Sequence, residues 1–470
     1  MIKKQYDISV HNKTHTLMLV QISIEFINCD KKNKNMSNEI TLAQELIDFI
    51  YQSPSPYHAV SNIKKELLEN GYQELLMTDS WKLKKEKKYF TTKNDSAIFA
   101  FSIGKKELPD TGIKMICAHS DSPGFKIKPQ PEILVEKKLL KLNTEVYGGP
   151  ILMTWLDRPL SISGRVSLKG DHPLFPQSAF VHFNKPLLII PNLAIHLNRE
   201  INEKGIILNR QKDMLPLMGI VNDTFEKDNY LLGLLAQELD VNQDDIIDFD
   251  LSLYEFEKGC LVGMNNEMIS SPKLDDLAMA HAGLKALLDA NNTETTQMLC
   301  IFDNEEVGSV TKQGAGSPVL NNILHRINTA LGYEQDDFYR TIYHSFMISA
   351  DMAHSIHPNL VEKHDPVLHP VINGGPVIKI HANQKYTTDG DSGAVFETIC
   401  KKAGVPYQKF ANRSDMAGGS TLGNVSTGQL DIRTVDMGNP MLAMHSVREL
   451  GGVLDQTYAV KAFSTFYKLT

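Results

Sequence analysis

Seven side chains of this sequence have the types and positions for divalent-metal catalysis: His119, Asp121, Asp275, Glu305, Glu306, Asp351 and His445. Imidazole nitrogen and carboxylate oxygen are donors that a catalytic divalent cation takes. Such a centre also needs a base that coordination leaves free to take a proton from water. The adjacent pair in "LCIFDNEEVGSV", Glu305 and Glu306, offers two carboxylates at one place. Taken singly, each of these residues reads as a cap, a solvated turn or an ordinary polar side chain. Their shared setting is what argues for a site.

That setting is the end of a strand. His119 and Asp121 follow the apolar run 113–118, the two glutamates follow "MLCIFD", and Asp351 follows "HSFMISA". Asp275 opens a helix and His445 lies in "MLAMHS". In an open α/β sheet the loops beyond the carboxyl ends of the strands converge on a ligand crevice. Helical and strand patterns alternate on both sides of a long interruption, which predicts an α/β layer. Helices are expected over 40–51 and 56–69, the second with Ser55 as cap, Pro56 at its first position and Gly71 at its exit. From about 130 to 255, β-rich pieces alternate with Pro, Gly and Asp turns, the texture of an inserted, mainly-β domain. "SSPKLDDLAMAHAGLKALLDA" resumes the helical pattern, with Ser271 as cap and Pro272 in the first turn. The expected organisation is an appendage over 1–35, a catalytic domain in two parts (36–129 and 256–470), and the insertion over 130–255.

The chain of 470 residues carries a net charge of −8 and no long basic block, which argues against nucleic acid or an anionic membrane surface as partner. Cys29, Cys117, Cys260, Cys300 and Cys400 show no CxxC spacing, so a reducing, cytoplasmic setting is expected. Cys117, Cys260 and Cys300 lie in or beside apolar stretches and are expected to be buried. No stretch approaches a transmembrane span. The partly apolar 16–29 is interrupted by Gln21, Ser23 and Glu25, and Met36 offers a second start.

Eight motifs in order add a resemblance: "AHSDSPGFKIKP", "YGGPILMTWLDRPLSISGRV", "IPNLAIHLNREIN", "SSPKLDDL", "DNEEVGS", "SADMAHSIHPN", "NRSDMAGGSTLG" and "DIRTVDMGNPMLAMHSVRE". From about residue 37 to the C-terminus the sequence resembles the aspartyl aminopeptidase family. The resemblance implies a zinc-peptidase-type fold, a mixed sheet sandwiched by helices, with the insertion as a dimerisation domain. It also implies two Zn²⁺ ions per subunit, with Asp275 bridging them and His119, Glu306, Asp351 and His445 completing the ligands. Glu305 would be the general base and Asp121 a carboxylate supporting His119, while Asp276 matches no ligand and is expected to be a first-turn helix residue. Co²⁺ or Mn²⁺ fits the same donors. His196 matches a histidine that reaches the active site of a neighbouring subunit, and Lys379 is the first candidate for an acidic substrate side chain. The implied substrates are peptides with a free N-terminus, Asp or Glu preferred, and the implied assembly is a homo-oligomer of dimers forming a dodecamer. Gly418 stands where family members often have Cys, and Ser414–Asp415 replaces the usual Asn–Asp; both departures fall near the expected substrate pocket. A two-metal amidohydrolase acting on N-acyl amino acids and a non-catalytic peptide-binding assembly protein remain the alternatives.

Overall fold

The computed structural model describes residues 38–222, 228–290 and 294–470; the expected appendage, 1–35, lies outside the described residues. A nine-stranded sheet runs in the order Gln73–Glu74, Lys88–Lys93, Ala97–Ser102, Thr296–Phe302, Ile113–His119, Phe346–Ala350, Arg433–Gly438, Val377–Ile380, Gln408–Ala411. Its centre is parallel: Thr296–Phe302, Ile113–His119, Phe346–Ala350 and Arg433–Gly438 all point the same way. Parallel strands covered on both faces read as continuous apolar runs, and "TQMLCIF" and "FMISA" are buried at every position.

Alternation along each central strand divides the side chains between two cores. Ile116, Ile301 and Ile348 pack on one face with the helices Pro56–Glu69, Leu274–Asp289 and Val453–Tyr467. Met115, Cys117, Cys300 and Met347 pack on the other with Val319–Ala330 and Gln335–His344. The mixed sheet lies between helices, the α/β layer that the alternating pattern predicts and the mixed arrangement that the resemblance implies.

Beyond His119 the chain leaves this layer. Gly124–Val135 opens a six-stranded antiparallel sheet that also takes Leu139–Tyr147, Leu160–His172, Phe175–His182, Leu217–Ile220 and Ile246–Glu255. Its own core gathers Phe125, Trp155, Leu160 and Val166 beneath the helix Tyr230–Leu239. A third, five-stranded sheet joins Cys260–Val262, Met268–Ser271, Glu449–Gly452, Pro440–Leu442 and Ala353–His354.

Two expectations need correction. The helix expected from Ser271 and Pro272 begins at Leu274, because Met268–Ser271 is strand and Lys273, at φ +55°, caps the helix in a left-handed conformation. Asp275 and Asp276 also depart from helical dihedrals, and the peptide bond between them is cis. Cys260 is exposed, not buried, since its three-residue strand is an edge paired only with Met268–Ser271. Cys117, Cys300 and Cys400 are buried free thiols.

Candidate metal centre

Register brings the distant motifs together. Phe302 pairs with His119 and Ser349 with Cys117, so three neighbouring parallel strands end at one level. His119 closes one strand, Glu305 and Glu306 follow the next on a 3₁₀ turn, and Asp351 follows the third. Asp275 enters from the distorted start of its helix, and His445 from the loop between Pro440–Leu442 and Glu449–Gly452.

Asp275 stands between the two imidazoles. Its Oδ1 lies 3.4 Å from His119 Nε2 and its Oδ2 lies 3.5 Å from His445 Nε2. Asp351 Oδ1 is 3.9 Å from His119 Nε2, and Glu306 Oε2 is 3.4 Å from His445 Nε2. Two groups of donors therefore share one carboxylate: His119, Asp275 and Asp351, with Asp276 alongside, and Asp275, Glu306 and His445. In each group the donor atoms lie within 4.8 Å of one another, and Glu305 falls within the same distance of His119 and Glu306.

The donors fit a cation better than they fit one another. Asp275 Oδ1 and Glu306 Oε1 are buried without a hydrogen-bond partner. A buried carboxylate oxygen left so is costly unless a positive charge meets it. Mixed imidazole and carboxylate donors of this kind suit zinc.

Both imidazoles are aimed from behind. His119 Nδ1 lies 3.1 Å from the Asp121 main-chain oxygen and 3.3 Å from its Oδ1; His445 Nδ1 lies 3.1 Å from the Gly149 oxygen. An Nδ1–H donated to these acceptors leaves each Nε2 lone pair facing the shared carboxylate. His445 is itself held at φ +66°, a conformation a non-glycine residue keeps only where its surroundings enforce it.

Charge crowding shifts the protonation equilibria of the cluster. Burial disfavours the His119 imidazolium, but Asp276, Asp121, Asp275 and Asp351 outweigh it and hold the pKa well above the usual histidine value. Burial would raise Asp275, yet the facing His119 and His445 imidazoles bring it below the usual carboxylate range. Burial pushes Glu305 up to about 8, against the pull of His119 and with the help of Asp351, Asp275 and Asp121. Glu306 goes up for the same leading reason, with Asp275 adding to it.

Supporting carboxylates do more than the sequence shows. Asp121 accepts the main-chain N–H of Glu305 on Oδ1 and that of Glu306 on Oδ2, both at 3.1 Å. Tyr147 donates its hydroxyl to Asp121 Oδ2 at 2.7 Å and accepts from Asn304 Nδ2 at 2.8 Å. Asp276, expected to be an ordinary first-turn residue, is fully buried and accepts the His119 N–H at 3.1 Å. Glu449 escaped sequence reasoning altogether. Buried in its strand, it accepts the Asp275 N–H on Oε2 at 3.1 Å and the His445 N–H on Oε1 at 2.7 Å. A lone glutamate opening a short strand carries no sequence signal of that clamp.

Of the remaining two candidates, one touches the donor Asp351 and the other joins no donor group. Lys379 is buried in the wall of a cleft of about 260 Å³ that also takes in Asp275, Glu305, Glu306, Asp351 and His445. Its ammonium donates to Asp351 O at 2.8 Å, Met352 O at 3.0 Å and Asp351 Oδ2 at 3.2 Å. Those contacts account for its three donors. His196 sits on the exposed turn Ile195–Leu197 and, among the described residues, joins none of the donor groups.

Residues 49–467 match the family described as Aminopeptidase I zinc metalloprotease (M18). The chain belongs to the M18 family. A probable M18 family aminopeptidase 2 of Clostridium acetobutylicum is 55% identical over 434 residues, 92% of this chain and 100% of the relative. Among solved structures, "Cryo-EM structure of the Ape4 and Nbr1 complex" contains a chain similar to this one at TM-score 0.88 and 38% identity, covering 92% of this M18 chain and 86% of that one. "Structure of S. cerevesiae mApe1 dodecamer" is similar at TM-score 0.79 and 28% identity, with 91% and 96% covered. The M18 protein is a zinc metalloaminopeptidase with a mixed α/β fold, and its buried His, Asp and Glu cluster could bind the metal. Among the described residues no helix is long and apolar enough to cross a membrane.

Proposed function

We propose that this M18 aminopeptidase removes N-terminal residues, preferentially Asp or Glu, from peptides at a two-zinc centre. His119, Asp275 and Asp351 would hold one ion, and Asp275, Glu306 and His445 the other. The observation that carries this reading is the Asp275 carboxylate, which turns a different oxygen to each imidazole. Bound zinc supplies Lewis acidity, lowering the pKa of water and polarising the peptide carbonyl. The chain's own residues do the rest. Glu305 takes the proton from the attacking water and delivers it to the departing amine. Asp121 fixes the backbone of both glutamates, and Glu449 that of Asp275 and His445, so the donors keep their spacing.

The free amino terminus, a cation, is met by the carboxylates of the centre. Lys379 supports the acidic preference through its field, because its donors are already engaged by Asp351 and Met352. His196 is proposed to serve the site of a neighbouring copy, from the inserted domain acting as the dimer contact. Leu193, Ile195 and Leu197 beside it are exposed apolar side chains, which suits a covered turn. The dodecamer of the yeast relative supports assembly beyond a dimer, and the cysteine pattern supports a cytoplasmic setting.

The test is a hydrolysis panel of Asp-, Glu-, Ala- and Leu-peptides with metal-depleted enzyme re-supplied with Zn²⁺, Co²⁺ or Mn²⁺ alone. Metal-dependent release is expected, fastest from the acidic N-termini. Cleavage of N-acetylated amino acids with no free-amine peptide cleaved would reject the aminopeptidase mechanism in favour of an amidohydrolase.

A further inference from the structure

Asp436 takes no part in the proposed hydrolysis, yet it is a fully buried carboxylate beside the cleft. It lies in Arg433–Gly438, level with Ser349 on the strand that ends at Asp351. A carboxylate is costly to bury, so its partners define what it does. Its Oδ2 accepts the Thr387 N–H at 2.6 Å, and its Oδ1 accepts the Thr421 hydroxyl at 2.8 Å. Its own N–H donates to Thr388 Oγ1 at 2.9 Å. Thr387 follows Tyr386, and Thr421 follows Gly419 and Ser420; Tyr386, Gly419, Ser420 and Thr421 all line the cleft. Gly423 presses on the same carboxylate so closely that a Cβ there would come within 2.4 Å of Oδ1.

One buried side chain thus clips together two wall segments distant in sequence. Both are loops, whose spacing no sheet ladder sets. We propose that Asp436 is a positioning residue for the peptide's N-terminal side chain, fixing the distance between the Tyr386 segment and the Gly419–Thr421 segment. The inference rests on the cleft being the peptide site, as proposed above. Asp436 acts through those segments and touches neither the donor groups nor the reacting atoms.

The test compares Asp436→Asn, Thr388→Val and Thr388→Ser with wild type, all zinc-loaded, on Asp- and Ala-peptides. Asparagine's Oδ1 can accept from only one of the two segments and its amide cannot accept from the other. Asp436→Asn should raise KM about tenfold, the size of one lost charge-assisted hydrogen bond. It should leave kcat within about threefold and narrow the ratio of kcat/KM between the two peptides. Thr388→Val should do the same more weakly, and Thr388→Ser should restore wild-type values because it keeps the hydroxyl. Zinc content should not change. Wild-type KM and selectivity in folded Asp436→Asn, or zinc lost in step with activity, would overturn the proposal. Should Asp436→Asn not fold, Thr388→Val decides alone by the same KM and selectivity criteria. An inactive wild type would instead refute the reading of the cleft, before any variant is compared.

Discussion

Glu305 and Glu306 are neighbours in the chain, but the 3₁₀ turn Glu305–Val307 rotates successive side chains by about a third of a circle. Glu306 is thereby turned to His445, while Glu305 remains with His119 at the cleft. Different work follows from that rotation. Glu305→Gln is expected to retain zinc and lose turnover by about 10²- to 10⁴-fold, the range of a general acid–base. Parallel measurement of kcat and of metal content would show it; near wild-type kcat in zinc-replete enzyme contradicts the assignment. Asp275→Ala should lose both, because the shared carboxylate has no substitute. Glu449→Gln makes the complementary case. A glutamine cannot accept both the Asp275 and His445 N–H groups, so zinc affinity should fall about 10- to 100-fold, read by competition with a chelator.

At the scale of elements, the centre depends on parallel strands that end together. Ile116, fully buried midway along Ile113–His119, packs against the helices that carry Asp275 and cover the sheet. Ile116→Ala should cost about 2–5 kcal/mol, measured as a shift in the urea midpoint with unchanged slope. A second element carries a pH dependence. Asp455, in the first turn of Val453–Tyr467, accepts the N–H groups of Asn373 at 2.5 Å and Gly375 at 2.9 Å. Burial nevertheless pushes its pKa up to about 7, the two N–H bonds pulling the other way. A carboxyl raised in the folded state contributes stability that is full below its unfolded value and lost as pH rises through the folded one. Zinc-loaded wild type should therefore lose about 1 kcal/mol per pH unit from this group between pH 5 and about 7. Asp455→Asn should flatten that slope in urea titrations at pH 5, 6 and 7.

For the whole molecule the question is whether one chain completes its own site. His196 lies on an exposed turn flanked by exposed Leu193, Ile195 and Leu197, away from the donors of its own chain. Subunit mixing separates service to a neighbour from a local role. His196→Ala keeps its donors and Glu305 but lacks the imidazole; Glu305→Gln keeps the imidazole but lacks the base. Unfolded together and reassembled, the two variants should recover activity that neither shows alone. No recovery in assembled mixtures would exclude a shared site.

The grouping of the candidate donors was legible where residue type and strand ends coincide, whereas their individual roles came only from the resemblance. His119, Glu305, Glu306 and Asp351 each follow an apolar run, and a parallel sheet has to bring such exits to one edge. The α/β layer was legible from period and alternation, which are local properties. Tertiary structure alone decided the rest. Hydrogen bonds between residues far apart in sequence, such as Glu449 to Asp275 and His445 or Asp436 to Thr387 and Thr421, leave no periodic mark. The left-handed Lys273 cap displaced the helix start that Ser271 and Pro272 had suggested. Lys379, the first candidate for an acidic substrate side chain, has its ammonium engaged by Asp351 and Met352, contacts that its own sequence neighbourhood does not announce. Sequence determines which side chains are available and at which strand ends they emerge; only packing in three dimensions sets which partners satisfy them, because a buried polar group is defined by what it meets.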